Sequence, residues 1–190
     1  MEKIYIEDKK FDQVDFTLDG LVKADYENCS FTNCNFSNQD LSKLSFAECD
    51  FTGCNFSLAK LATTAFNEVK FKDCKLLGLH FHDCHEFLFT VYFDNCLLNL
   101  SSFYKRKLKK TTFKNCTLHE VDFTQADLSG ALFHNCDLSR ATFQYAILEK
   151  ADLRSSYNYS IDPEVNKIKK ARFSAAGLAG LLEKYDIDIQ

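Results

Sequence analysis

The chain has 190 residues, with 19 Phe, nine Cys, one Pro and no Trp, and a formal net charge of −4. Its length suits one domain with a real core, and the slight acidity argues against direct nucleic-acid binding, which favours a basic excess. An odd cysteine count argues against a disulfide framework, and no apolar run approaches the ~18 residues that a membrane span requires.

The opening stretch, MEKIYIEDKKFDQVDF, carries charges every few residues and has no apolar h-region. It therefore reads as the start of a cytosolic protein, and its charges are placed to blunt an exposed end. From Phe11 onward a large apolar residue recurs every five positions: Phe16, Leu21, Tyr26, Phe31, Phe36 and Leu41, continuing to Phe81. After one interruption the series resumes at Phe93 and runs to Leu153. A period of five matches neither the 3.6 of a helix nor the 2 of a strand, but suits a coil that turns a corner every five residues. Two positions before most of these large residues sits a small or β-branched one, such as Ala24, Cys29, Cys34, Cys54 or Val121. With the large residue as i, positions i−2 and i point inward and the other three face solvent.

Segments such as TQADLSGALF and EKADLRSS fit an A(D/N)LXX consensus, so the chain resembles the pentapeptide-repeat family over about residues 4–173. The resemblance implies an all-β solenoid: a right-handed quadrilateral β-helix of pentapeptide repeats with a short C-terminal α-helix. Four pentapeptides make one 20-residue coil, and coils stack as parallel ladders. Residues 1–173 are then the solenoid, and residues 174–190 a helix and tail for capping and dimerisation. Phe11, Phe31, Phe51 and Phe71 should form one column. The step from Phe81 to Phe93 is 12 residues instead of 10, which implies a two-residue bulge near residues 85–90 and returns Phe93, Phe113, Phe133 and Phe173 to that column. Roughly 8.5 coils at ~4.8 Å each give a rod about 40 Å long.

Every cysteine lies at i−2, and Cys34, Cys54, Cys74, Cys96, Cys116 and Cys136 fall on one face, one coil apart. Parallel side chains on a ladder do not converge tetrahedrally as zinc ligands do, so the cysteines read as small core residues. His80, His82 and His85 crowd the bulge. An HxHxxH run can suggest a metal site, but with Phe81 as the inward residue His80 and His82 flank it on the outside of a coil, and a solvated or bulge-stabilising role for these histidines is favoured over ligation. P-loop, GxGxxG, GxSxG and HExxH motifs are missing, and the expectation is a non-enzyme without cofactor or metal.

Charge divides the chain. Through Glu86 there are 15 acids against 9 bases; from Phe87 on there are 12 against 14. By the 20-residue rule, the face of Tyr26, Phe46, Phe66 and Glu86 bears Asp25, Glu27, Glu48, Glu68 and Glu86 with no Lys or Arg. On the next coil the same face turns basic, with Arg106, Lys107, Lys109 and Lys110. The acidic stripe is the candidate partner-binding surface, able to compete for a groove that binds nucleic acid.

The repeat degrades over SSYNYSIDPEVNKIKK, and FSAAGLAGLLEKYDIDIQ follows. Ser174 reads as an N-cap, with Leu178, Leu181, Leu182 and Tyr185 at amphipathic helical spacing. Ile187 and Ile189 alternate after it as in a short strand. Part of this apolar face should cap the last coil, and the rest suits a homodimer. The interrupted solenoid with the ending ARFSAAGLAGLLEKYDIDI is similar to the Qnr and microcin-immunity branch of the family. That resemblance implies a head-to-head dimer through the C-terminal helix, shaped and charged like B-form DNA. It further implies binding to DNA gyrase and topoisomerase IV and their protection from quinolones or topoisomerase-poisoning peptides. The competing expectation is a scaffold that binds some other protein along its flat faces.

Overall fold

The structure, a computed structural model, describes residues 4–188. Most of its strands are three residues long, because each face of the coil spans only five. They are β1 (Tyr5–Glu7), β2 (Lys10–Asp12), β3 (Asp25–Glu27), β4 (Ser30–Thr32), β5 (Ser45–Ala47) and β6 (Asp50–Thr52). Then come β7 (Ala65–Lys72), β8 (Phe89–Asp94), β9 (Thr112–Lys114) and β10 (Leu132–His134). All pair in parallel. One ladder runs β1–β3–β5–β7, and a second runs β2–β4–β6–β7–β8–β9–β10.

The register is the 20-residue coil. Phe11 pairs with Phe31, Phe31 with Phe51, Phe51 with Phe71, then Phe71 with Phe93, Phe93 with Phe113 and Phe113 with Phe133. Single bridges, Leu132 to Asp152 and Asp152 to Arg172, carry the same step onward. The rings of this column stack nearly parallel, with centroids 4.6 Å apart at Phe11–Phe31 and 5.0 Å at Phe113–Phe133. Columns meeting at a corner pack edge to face, as Phe51 and Phe56 do at 5.0 Å and 83°, an arrangement favoured by the ring quadrupoles.

Turning a corner every five residues requires left-handed backbone. Positive φ occurs at Asn28, Asn33, Asn38, Asn95, Asn115 and Asn135, where Asn tolerates it, and also at Leu58, Thr63 and Tyr145. These corners keep count of the insertion. They fall at Thr63, Glu68, Asp73 and Gly78, then resume at Asn95, Leu100 and Lys105, so the 17 residues from 78 to 95 exceed a multiple of five by two.

The cysteines are core residues: all nine are free and buried. Their thiols also serve the backbone. Cys54 Sγ lies 3.3 Å from the carbonyl of Phe31, one coil below, and 3.5 Å from that of Thr52. Thr64, Ser101 and Ser156 occupy the same inward position and donate to the carbonyls of Leu41, Leu76 and Phe133 at 2.9, 2.7 and 2.9 Å. A hydrogen-bond donor is thus useful at i−2, which explains why polar residues interrupt the small apolar ones there. Burial pushes the Cys49 and Cys84 thiols up to about 12, so they stay neutral.

Two short helical pieces depart from the coil. Helix α1 (Phe16–Asp19) replaces an early corner, with the Asp15 carboxylate accepting from the amide of Thr17 at 2.9 Å. Helix α2 (Ala179–Leu182) is a single turn between 3-10 turns at Ala175–Gly177 and Glu183–Tyr185. At the other end β1 is itself the exposed edge: Tyr5 is 71% exposed, so the described N-terminal residues extend the ladder instead of covering it.

Candidate partner-binding surface

The first stripe residues share one side of the β1–β3–β5–β7 ladder. Asp25 and Glu27 flank the buried Tyr26 on β3, with Asp25 half-buried and Glu27 exposed. Glu48 and Glu68 are left-handed corner residues, φ +52° and +56°, on successive coils. The amide of Asn28 donates to Ala47 and that of Glu48 to Asn67, so Asn28, Glu48 and Glu68 stand in one corner column. At ~4.8 Å per coil, the two exposed carboxylates form a short acidic edge.

Glu86 does not belong to it. Phe66 pairs with Phe89, 23 residues on, whereas Val69 pairs with Val91, 22 on. Phe89, not Glu86, therefore lies over Phe66, with ring centroids 6.4 Å apart. The reason is chemical: an aromatic column accepts a phenyl ring and rejects a carboxylate, and the segment FLF at 87–89 supplies the ring. Glu86 is left on the exposed insertion, 3.4 Å from Lys107 Nζ. Beside it Phe87 is 76% exposed.

The basic reversal is also corrected. Arg106 is 6% exposed, at an inward i−2 position. Its guanidinium donates to the carbonyls of Cys84 and His85 at 3.1 and 2.9 Å and lies 4.3 Å from the Phe89 ring centroid. Desolvation lowers its pKa from the ordinary arginine value, and the two carbonyls and the ring supply the compensating contacts. Arg106 anchors the insertion from the coil above. The composition at i−2 elsewhere, small or β-branched, gave no signal of this role. Lys107 and Lys109 do reach the surface, but Lys109 Nζ is 3.3 Å from Asp127. His85 supports the insertion as expected, its Nδ1 accepting from the amides of Phe87 and Leu88, both at 3.3 Å.

At the C-terminus Ser174 is the N-cap, accepting from Gly177 N at 3.1 Å. The α-helical stretch is shorter than its apolar spacing predicts, one turn between two 3-10 turns, and it presses against Tyr159. A Cβ on Gly180 would lie 2.0 Å from the Tyr159 carbonyl, and Ile161 N donates to Gly180 O at 2.8 Å. Leu181 packs on the core. Tyr185 donates its hydroxyl to Glu164 at 2.8 Å, and Lys184 bridges Asp162 and Glu164 at 2.8 and 2.6 Å. Leu181 and Tyr185 thus clamp the segment to the last coil. Leu178, half-buried Leu182 and Ile187 remain outward, the last two lining a groove with Ala179 and Gly180. Ile187 follows the 3-10 turn without forming a strand, since the left-handed Asp186, φ +48°, interrupts extension. Ile189 lies outside the described residues.

An open groove of about 560 Å³ lies on β9 and β10, lined by Lys114, Leu132, His134, Asp152, Arg154 and Ser155. Its charges are engaged with one another or with neighbours: Lys114 with Asp94 at 3.0 Å and Arg154 with Asp152 at 2.7 Å. Ser155 Oγ, 3.2 Å from His134 Nδ1, also accepts from the amide of Asn135. Among the described residues no third group is hydrogen-bonded to His134 to orient it as a nucleophilic triad requires.

The profile of the pentapeptide repeat region matches residues 24–86 and 87–158. The chain belongs to the pentapeptide-repeat family. No curated protein matches it in sequence. Among solved structures, a trypsin-treated form of QnrB1, a plasmid-mediated fluoroquinolone resistance protein, is 21% identical with a TM-score of 0.54, covering 100% of both chains. Full-length QnrB1 is 21% identical with a TM-score of 0.50, covering 96% of this chain and 100% of its own. HetL, involved in heterocyst differentiation regulation in the cyanobacterium Nostoc, is 17% identical with a TM-score of 0.50, covering 90% of this chain and 85% of its own. At these identities the likeness establishes the shared solenoid.

Proposed function

We propose that this pentapeptide-repeat protein acts without catalysis, binding DNA gyrase or topoisomerase IV in place of DNA and protecting the enzyme from quinolones or topoisomerase-poisoning toxins. The observation that carries the reading is the end-to-end correspondence with QnrB1, a fluoroquinolone resistance protein, over 100% of both chains. The acidic edge at Glu48 and Glu68 supports it, because stacked carboxylates present negative charge at regular intervals to a basic groove. The exposed apolar residues Leu178 and Ile187 at the C-terminal end support assembly as a head-to-head homodimer.

The test is a supercoiling assay with purified gyrase, a fluoroquinolone and increasing amounts of the protein. Restored supercoiling at intermediate concentration is expected; neither rescue nor inhibition over a wide range would sink the proposal. Glu48→Lys with Glu68→Lys should weaken the effect several-fold while leaving the melting temperature nearly unchanged, since both side chains are exposed. An undiminished effect would remove the acidic edge from the account. The likeness to HetL favours a second reading, a scaffold for a different protein. Affinity capture that recovers another stable partner and no topoisomerase subunit would decide for it.

A further inference from the structure

Just before the insertion the chain makes a 3-10 turn at Phe81–Asp83. It presents His80, His82 and Asp83 together on the outside of the coil, with one donor atom of each within 4.8 Å of the others. His80 Nδ1 is 3.9 Å from Asp83 Oδ2, and His82 Nε2 is 3.4 Å from Asp83 Oδ1. The two imidazoles stack at 5.1 Å between centroids. We propose that these three residues form a binding site for a divalent transition-metal ion, with Zn²⁺ as the first choice.

Three features carry the assignment. The donor set is two imidazoles and one carboxylate, which suits borderline ions such as Zn²⁺ and leaves coordination positions open. The donors are held on rigid backbone: Phe81 between them is fully buried, Thr63 N donates to Asp83 O at 2.8 Å, and His82 N donates to Ser102 O at 3.3 Å. Ligands of one Zn²⁺ at ~2.0–2.1 Å stand roughly 3.3 Å apart. The two separations to the Asp83 oxygens, 3.4 and 3.9 Å, are near that value, and reorienting the stacked imidazoles brings both ring nitrogens, already within 4.8 Å of the carboxylate donor and of each other, onto one ion.

The ring geometry also sets the strength. His82 Nδ1 is buried without a hydrogen-bond partner, so Nε2 is the nitrogen that faces outward. A metal-bound imidazole ordinarily donates its second N–H to an acceptor, which raises its basicity. Lacking one, His82 makes this a site of moderate affinity. His85 takes no part, because its Nδ1 is used by the insertion backbone.

Untagged protein titrated with ZnCl₂ at pH 7.4 in a calorimeter should take up one equivalent. His80→Ala with His82→Ala, and separately Asp83→Asn, should weaken binding about tenfold or more, with far-UV circular dichroism unchanged. His119→Ala with His134→Ala, which removes histidines elsewhere on the rod, should leave the isotherm unaltered. Three outcomes overturn the site: no heat with wild type at millimolar Zn²⁺, undiminished binding in the folded His80/His82 double variant, or loss of binding in the His119/His134 control.

Discussion

Thr63 stands at a corner of the coil with φ +57°, and its exposed, β-branched side chain is poorly shaped for that conformation. Its amide nevertheless donates to Asp83 O at 2.8 Å, so the coil above holds the strained geometry in place. Equivalent corners are filled by Asn28, Asn33, Asn95 and Asn115, where a short polar side chain tolerates left-handed backbone. Thr63→Asn keeps the amide donor and relieves the crowding at Cβ. It should raise stability by about 1 kcal/mol, which for a chain of this length is about 2–4 °C in melting temperature. Differential scanning calorimetry measures it directly. A lower melting temperature would mean that the threonine side chain makes a compensating contact, and the corner argument would fail at this position.

At the scale of elements, Arg106 and the insertion form one unit. Two carbonyls, Cys84 O and His85 O, and the Phe89 ring converge on a buried guanidinium. Arg106→Ala leaves a cavity and strands the carbonyl of buried Cys84. The loss should be about 2–4 kcal/mol, concentrated at residues 85–90. Hydrogen exchange should show faster amides at Phe87 and Leu88 in the variant, with the ladder from Phe11 to Phe51 little changed; uniform acceleration would show that the insertion is not a separate unit. The five-residue period and the existence of a two-residue insertion are legible in the sequence, because each repeat restates the same inward pair. The position of the slip is not, since FLFTV at 87–91 offers several rings and only packing against Phe66 selects Phe89. Arg106 is equally hidden: a charge at an inward position has meaning only once the two carbonyls on the coil below it are seen. The acidic edge was readable at Asp25, Glu27, Glu48 and Glu68, upstream of the slip, and misread at Glu86, beyond it. At the C-terminus the apolar spacing predicts a helix, whereas the segment folds as one α-turn between two 3-10 turns, with Gly180 close against the Tyr159 carbonyl.

The whole molecule is a stack in which each coil covers the one before, so the final coil needs a cover of its own. The terminal segment supplies it, through Leu181 on the core and the clamp of Lys184 and Tyr185 to Asp162 and Glu164. In doing so it turns Leu178 and Ile187 outward, 49% and 55% exposed, at the end of the rod. A second copy related by a two-fold axis would bury the same residues on both partners. Two rods of about 40 Å would then span about 80 Å, or about 24 base pairs at ~3.4 Å each. The protein should sediment at micromolar concentration as a species of twice the 21.9 kDa chain mass. Leu178→Glu with Ile187→Glu should give a folded monomer, since neither side chain contributes to the core. If that monomer still rescues gyrase at the wild-type concentration, the length of the joined rods is irrelevant to protection and one rod suffices. If rescue is lost while the monomer keeps its melting temperature, the doubled length is what the enzyme recognises. A wild-type protein that sediments as a monomer would assign the exposed Leu178 and Ile187 to another partner.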